Sequence, residues 1–136
     1  MALVSYYFKS TPELDSSYFV RTLPEHEHAI TRATTFHHDF PDFISLTLMV
    51  YLSDVDGECS PHEVIPEPFM LNSWRTMLGD FGRIYASKTT RSTPVSVVAA
   101  KGHVALENIQ LLHRRTEGKQ MREVIFLNYR LMKSSK

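Results

Sequence analysis

Ile44 to Leu52 alternates without a break between two kinds of side chain. Ile44, Leu46, Leu48, Val50 and Leu52 fall on one face, and Ser45, Thr47, Met49 and Tyr51 on the other. Only an extended strand turns that period of two into one apolar surface, and such a surface needs a second layer to cover it. Asp54-Val55-Asp56-Gly57 closes the strand with turn-forming residues.

The covering layer is expected from the next segment. Phe69 or Met70, Leu71, Trp74, Met77, Leu78 and Phe81 recur at three- and four-residue spacing, the stripe of an amphipathic helix over about 69–81. Pro66 and Pro68 precede it, and Gly79 and Gly82 stop it. Leu46, Leu48, Val50, Trp74, Leu78, Ile125 and Leu127 are the expected core.

Elsewhere the reading is mostly extended. Leu3–Phe8, rich in aromatic and β-branched residues, predicts a first strand, and residues 10–28 an acidic, Pro- and Ser-rich loop. Ala29–Phe36, Arg83–Lys88 and Pro94–Ala100 predict short strands. His103–His113 and Met121–Met132 predict two long strands joined in a hairpin, with a bulge at Glu107-Asn108. A helix over Val104–Leu112 is the competing reading of the first of these. Residues 133–136 form a frayed tail. The expected fold is therefore one α+β domain over residues 1–136: a mostly antiparallel sheet with the 69–81 helix packed on it.

The 136 residues carry fifteen Lys and Arg against fifteen Asp and Glu, but the charges are segregated. Residues 1–100 hold seven basic and twelve acidic residues; residues 101–136 hold eight and three. Arg114, Arg115, Lys119 and Arg122 cluster near the expected hairpin turn, with Phe126, Arg130 and Lys133 along the last strand. One reading is a non-enzymatic assembly module, its acidic and basic regions meeting in a homo-oligomer or on a protein partner. A second is binding of RNA or another single-stranded nucleic acid, with those cations on phosphates and Phe126 stacking a base.

A third reading rests on seven histidines. His26 and His28 lie two apart, and His37-His38-Asp39 follows the expected Ala29–Phe36 strand. Three imidazoles and a carboxylate suit zinc or iron if the chain brings them together. An extended Ala29–Phe36 would hold the two groups roughly 25 Å apart, so His26, His28, His37 and His38 rank behind the basic set. No catalytic residue and no cofactor is assigned from the sequence.

Other matches fail on spacing. Asp54, Asp56 and Glu58 open like a calcium loop, but the twelfth position is Ile65 rather than Glu. Cys59 and His62 are spaced for a nucleophile and base, without a residue to orient them. Asp80-Phe81-Gly82 stands alone, with no glycine-rich phosphate loop anywhere. One cysteine excludes an intrachain disulfide. With no apolar run near ~18 residues and no secretory leader, the expected location is intracellular: cytoplasmic or nuclear, away from membranes.

Overall fold

The Ile44–Leu52 alternation does form a strand, but its apolar face points outward. In the computed structural model, which describes residues 2–24, 33–39, 44–66, 83–85 and 92–131, the strand spans Ser45–Tyr51. Thr47, Met49 and Tyr51 are its most enclosed side chains, at 1%, 1% and 0% exposure. They face the molecular interior, whereas Leu46 and Leu48 form an outer layer.

That outer layer is covered by the N-terminal segment. Ala2–Phe8 (α1) is a helix, not the strand its aromatic content predicts. Val4 and Phe8, one helical turn apart, pack against Leu46 and Tyr129. Burying two such side chains contributes about 1.5–3 kcal/mol each. Lys9 then adopts a left-handed conformation, and Ser10 N–H donates to the Ser5 carbonyl, closing the helix end.

Nine strands follow: β1 (Pro12–Thr22), β2 (His37–Asp39), β3 (Ser45–Tyr51), β4 (His62–Ile65), β5 (Arg83–Tyr85), β6 (Val95–Val97), β7 (Val104–Glu107), β8 (Leu112–Arg115) and β9 (Arg122–Leu131). One sheet has the order β1-β9-β3-β7 and the other β5-β2-β8-β4-β6, with every pairing antiparallel. Between them lies a core of Met49, Tyr51, Val55, Cys59 and Val124, with Val97, Ala99, Ala105 and Phe126 packed on it. Apart from the added β5, the strands divide between the sheets in the pattern of a double-sheet jelly roll.

The α+β expectation is therefore corrected to a mostly antiparallel β sandwich. Its only helix among the described residues is the seven-residue α1. The 69–81 segment, with Trp74 and Leu78, lies outside the described residues. The second layer over β3 is another sheet on one side and α1 on the other. Of the remaining expected core residues Leu46 is buried, and Leu48, Val50, Ile125 and Leu127 are half-buried in the outer layer. Residues 12–22, within the expected loop, form the longest strand.

The expected C-terminal hairpin is also redrawn. The shift of apolar parity near Glu107-Asn108 is a passage between sheets rather than a bulge, because β7 belongs to one and β8 to the other. A tight turn makes the crossing, with Leu111 N–H donating to the Asn108 carbonyl. β8 and β9 likewise lie in opposite sheets. Their connection is pinned where Thr116 N–H donates to the Pro61 carbonyl and Lys119 N–H to that of Glu58.

Gly118 lies in that connection against the backbone of Ser60, closer than any Cβ could be accommodated. Gly118→Ala should cost about 1–3 kcal/mol, read as a lower denaturation midpoint. Unchanged stability would mean the connection is loose. No helix among the described residues is long and apolar enough to cross a membrane.

Candidate metal centre

Strand geometry gathers three metal-type ligands inside the sandwich. His37 and Asp39 are two apart on β2, so they share a face. His113 on β8 is the cross-strand partner of His37. Their rings approach to 4.4 Å between centroids. Asp39 Oδ2 lies 3.5 Å from His113 Nε2 and 3.8 Å from His37 Nε2. One ligand atom from each of the three falls within 4.8 Å of the others. Both histidines are buried.

Hydrogen bonding sets the tautomers. His37 Nδ1 is 2.6 Å from the Thr35 carbonyl, and His113 Nδ1 is 2.9 Å from that of Leu111. A carbonyl only accepts, so each Nδ1 carries the proton and each neutral ring has its lone pair on Nε2. Those two lone pairs face the same carboxylate. Ligating histidines are commonly oriented in this way, with the second nitrogen donating to backbone.

In the metal-free chain the surroundings favour a proton on His113. Burial pushes the His113 imidazole down, but its hydrogen bond to Asp39, the Glu107 charge and the Leu111 carbonyl together lift it above the usual 6.5. A raised value means stability that is complete below 6.5 and lost as pH rises through the folded-state value.

His38 behaves oppositely. Its side chain points away from His37 and Asp39, with Nδ1 donating to the Gln110 carbonyl at 2.7 Å. Burial holds it below 6.5, so it withdraws stability as pH falls beneath 6.5. His38→Gln should therefore lose less stability than wild type between about pH 7 and 5. Denaturant melts at both values check this, and parallel losses would contradict it.

A second feature of the interior is cationic. Arg122 faces inward from β9 and is 2% exposed. Its Nε and Nη1 make no hydrogen bond to any described residue, and neither does the hydroxyl of fully buried Tyr51. Burial lowers the guanidinium's affinity for its proton, offset in part by Tyr51 and reinforced by the Arg115 charge. Burial raises the Tyr51 phenol, with Arg122 opposing and Glu107 adding to the shift. Two donors held this way away from water are suited to an anion.

The basic set expected to form an interaction surface is dispersed. Arg114 pairs with Glu63 at 2.7 Å and lies over the Phe36 ring, 4.4 Å from its centroid. Lys119 pairs with Glu58 at 3.1 Å, and Arg130 with Asp15 at 2.7 Å and Glu13 at 3.3 Å. The acidic and basic ends thus meet within one chain. Arg115 is half-buried on β8, Arg122 is interior, and Phe126 stacks on Tyr18 with centroids 5.1 Å apart. Lys133, His26 and His28 lie outside the described residues.

Of the histidine candidates, His37 joins the cluster and His38 does not. Asp39 was adjacent in the sequence, but His113 and Arg122 as interior groups were not visible there. The only local sign was His-x-Asp, two ligands on one strand face; the third depends on which strand pairs with β2. Cys59 is buried with a raised thiol, chiefly from burial, and His62 is engaged with Glu107 instead.

No protein-family model and no curated protein sequence matches the chain. Solved structures share the fold, two of them as follows. AviO1 from Streptomyces viridochromogenes Tue57 superposes with a TM-score of 0.60 at 13% identity, covering 99% of this chain and 58% of its own. EvdMO1 gives 0.61 at 15%, covering 96% and 30%. The chain thus spans less than two thirds of either protein.

Proposed function

We propose that His37, Asp39 and His113 bind one Fe(II) ion and that the chain forms the metal-binding core of an oxygenase. The observation that carries this reading is the convergence of two Nε2 lone pairs and one carboxylate, with both Nδ1 atoms tied to backbone carbonyls. Two imidazoles and a carboxylate would hold such an ion with positions left over, the donor set of non-haem Fe(II) oxygenases. When bound, the ion supplies binding and activation of dioxygen.

This chain's own residues do the rest. The carbonyls of Thr35 and Leu111 hold the imidazoles in register. Arg122 and Tyr51 offer donors to a carboxylate. A small α-keto acid bearing a second carboxylate fits both features: its keto-acid end can chelate a metal, and the far carboxylate can pair with Arg122. Its oxidative decarboxylation supplies the two electrons that remain after one oxygen atom enters substrate. The products are the shortened acid, carbon dioxide and the hydroxylated substrate.

The test is oxygen uptake by the Fe(II)-loaded chain with α-keto acids of different length. Keto-acid-dependent uptake, lost with Zn(II), supports the reading. Metal-independent uptake, or hydrolytic activity with Zn(II) alone, would contradict it. Metal and proton compete for His113, so affinity should fall about tenfold per pH unit below its raised value. A titration flat in pH across that range would place the metal elsewhere.

A further inference from the structure

Beside the cluster lies a pair of ionisable groups that the proposed chemistry does not use. Glu107 reaches inward from β7 and His62 from β4 in the opposite sheet, with His62 Nε2 2.7 Å from Glu107 Oε2. Both are buried. Neither Glu107 oxygen nor His62 Nε2 makes an aligned hydrogen bond to a described residue. The His62 ring stacks on His113 at 5.3 Å between centroids and 25° between planes. Glu107 Oε1 lies 4.0 Å from His113 Nδ1, the nitrogen that donates to the Leu111 carbonyl.

A carboxylate buried without aligned donors is unfavourable in isolation. Here it lies on the Nδ1 side of one ligand, where negative charge strengthens the donor on the other side of the ring. It also answers an excess of positive charge. Asp39 alone cannot neutralise a divalent ion, and Arg122 adds a cation to the same interior.

We propose that Glu107 is a positioning residue for the metal: it acts through His113 to strengthen binding and to favour the more highly charged state of the ion. The proposal rests on the metal-site reading above. It concerns the carboxylate of Glu107, whose Oε1 lies 4.0 Å from His113 Nδ1.

The experiment compares the full wild-type chain with Glu107→Gln, Asp39→Ala and His62→Gln, each titrated anaerobically with Fe(II). The Fe(III)/Fe(II) midpoint is then measured by mediated potentiometry. Glu107→Gln keeps shape and removes charge. It should retain one ion per chain, bind it roughly 10–100-fold more weakly, and have a higher midpoint. A tenfold change in the ratio of Fe(III) to Fe(II) affinity corresponds to about 59 mV.

Loss of packing alone would weaken both oxidation states alike and leave the midpoint in place, so an unmoved midpoint overturns the proposal. His62→Gln keeps the carboxylate, and its midpoint should not rise. A rise in that variant overturns the proposal even if Glu107→Gln fails to fold. Wild type binding no more iron than Asp39→Ala overturns the metal site itself, and the proposal with it.

Discussion

Arg122→Met should make the metal-free chain more stable and at the same time destroy its affinity for a carboxylate co-substrate. The guanidinium is 2% exposed, and two of its nitrogens make no hydrogen bond to any described residue. Replacing a poorly compensated buried charge with an apolar side chain of similar length is commonly neutral or stabilising, by about 1–4 kcal/mol. In a domain of this size each kcal/mol is worth a few degrees of melting temperature. Removing one partner of a buried charge pair costs about 2–5 kcal/mol, roughly 30-fold to a few thousand-fold in affinity. Thermal melts and α-keto acid titrations of the same two proteins read both effects. A destabilised variant that still binds the acid would make Arg122 a structural residue only.

Asp39→Ala should weaken Fe(II) binding by about two orders of magnitude. Structural zinc sites gain about 10–16 kcal/mol from four ligands, or roughly 3 kcal/mol for each. The same variant removes the hydrogen-bond acceptor that helps lift His113, so the metal-free His113 should titrate at lower pH than in wild type. Isothermal titration reads the first effect and NMR of the imidazole protons the second. A wild-type affinity in Asp39→Ala would remove the carboxylate from the ligand set.

Six of the nine strands overlap segments read as extended, but β1, β2 and β4 do not. Leu3–Phe8 is helical, residues 33–36 are not strand, and the inward faces were not legible. Ser45–Tyr51 alternates so regularly that its conformation follows directly, and the usual rule sends Leu46 and Leu48 to the core. In this fold the interior holds the site, so the inner face carries Thr47 and Tyr51 on β3 and Arg122 on β9. The greasier outer face is covered by α1. A buried polar site thus reverses the face that hydropathy selects.

Long-range pairing was illegible for a different reason. His37 and His113 meet because β2 and β8 are neighbours, although 76 residues separate them. Nothing local at either position specifies that register. Arg122 illustrates the same limit, since an arginine beyond Arg114, Arg115 and Lys119 reads as surface charge until its strand is placed in the other sheet. The charge asymmetry itself was real in the sequence. In space, three of the cations pair within one chain: Arg114 with Glu63, Lys119 with Glu58 and Arg130 with Asp15.

The central claim is that His37, Asp39 and His113 together hold a metal ion. X-ray absorption at the iron edge of the wild-type chain, loaded anaerobically with one equivalent of Fe(II), tests it most directly. The geometry predicts two imidazoles in the first shell, the rest being oxygen, with one imidazole lost in His113→Ala. A first shell without imidazole, or one unchanged in His113→Ala, would contradict it.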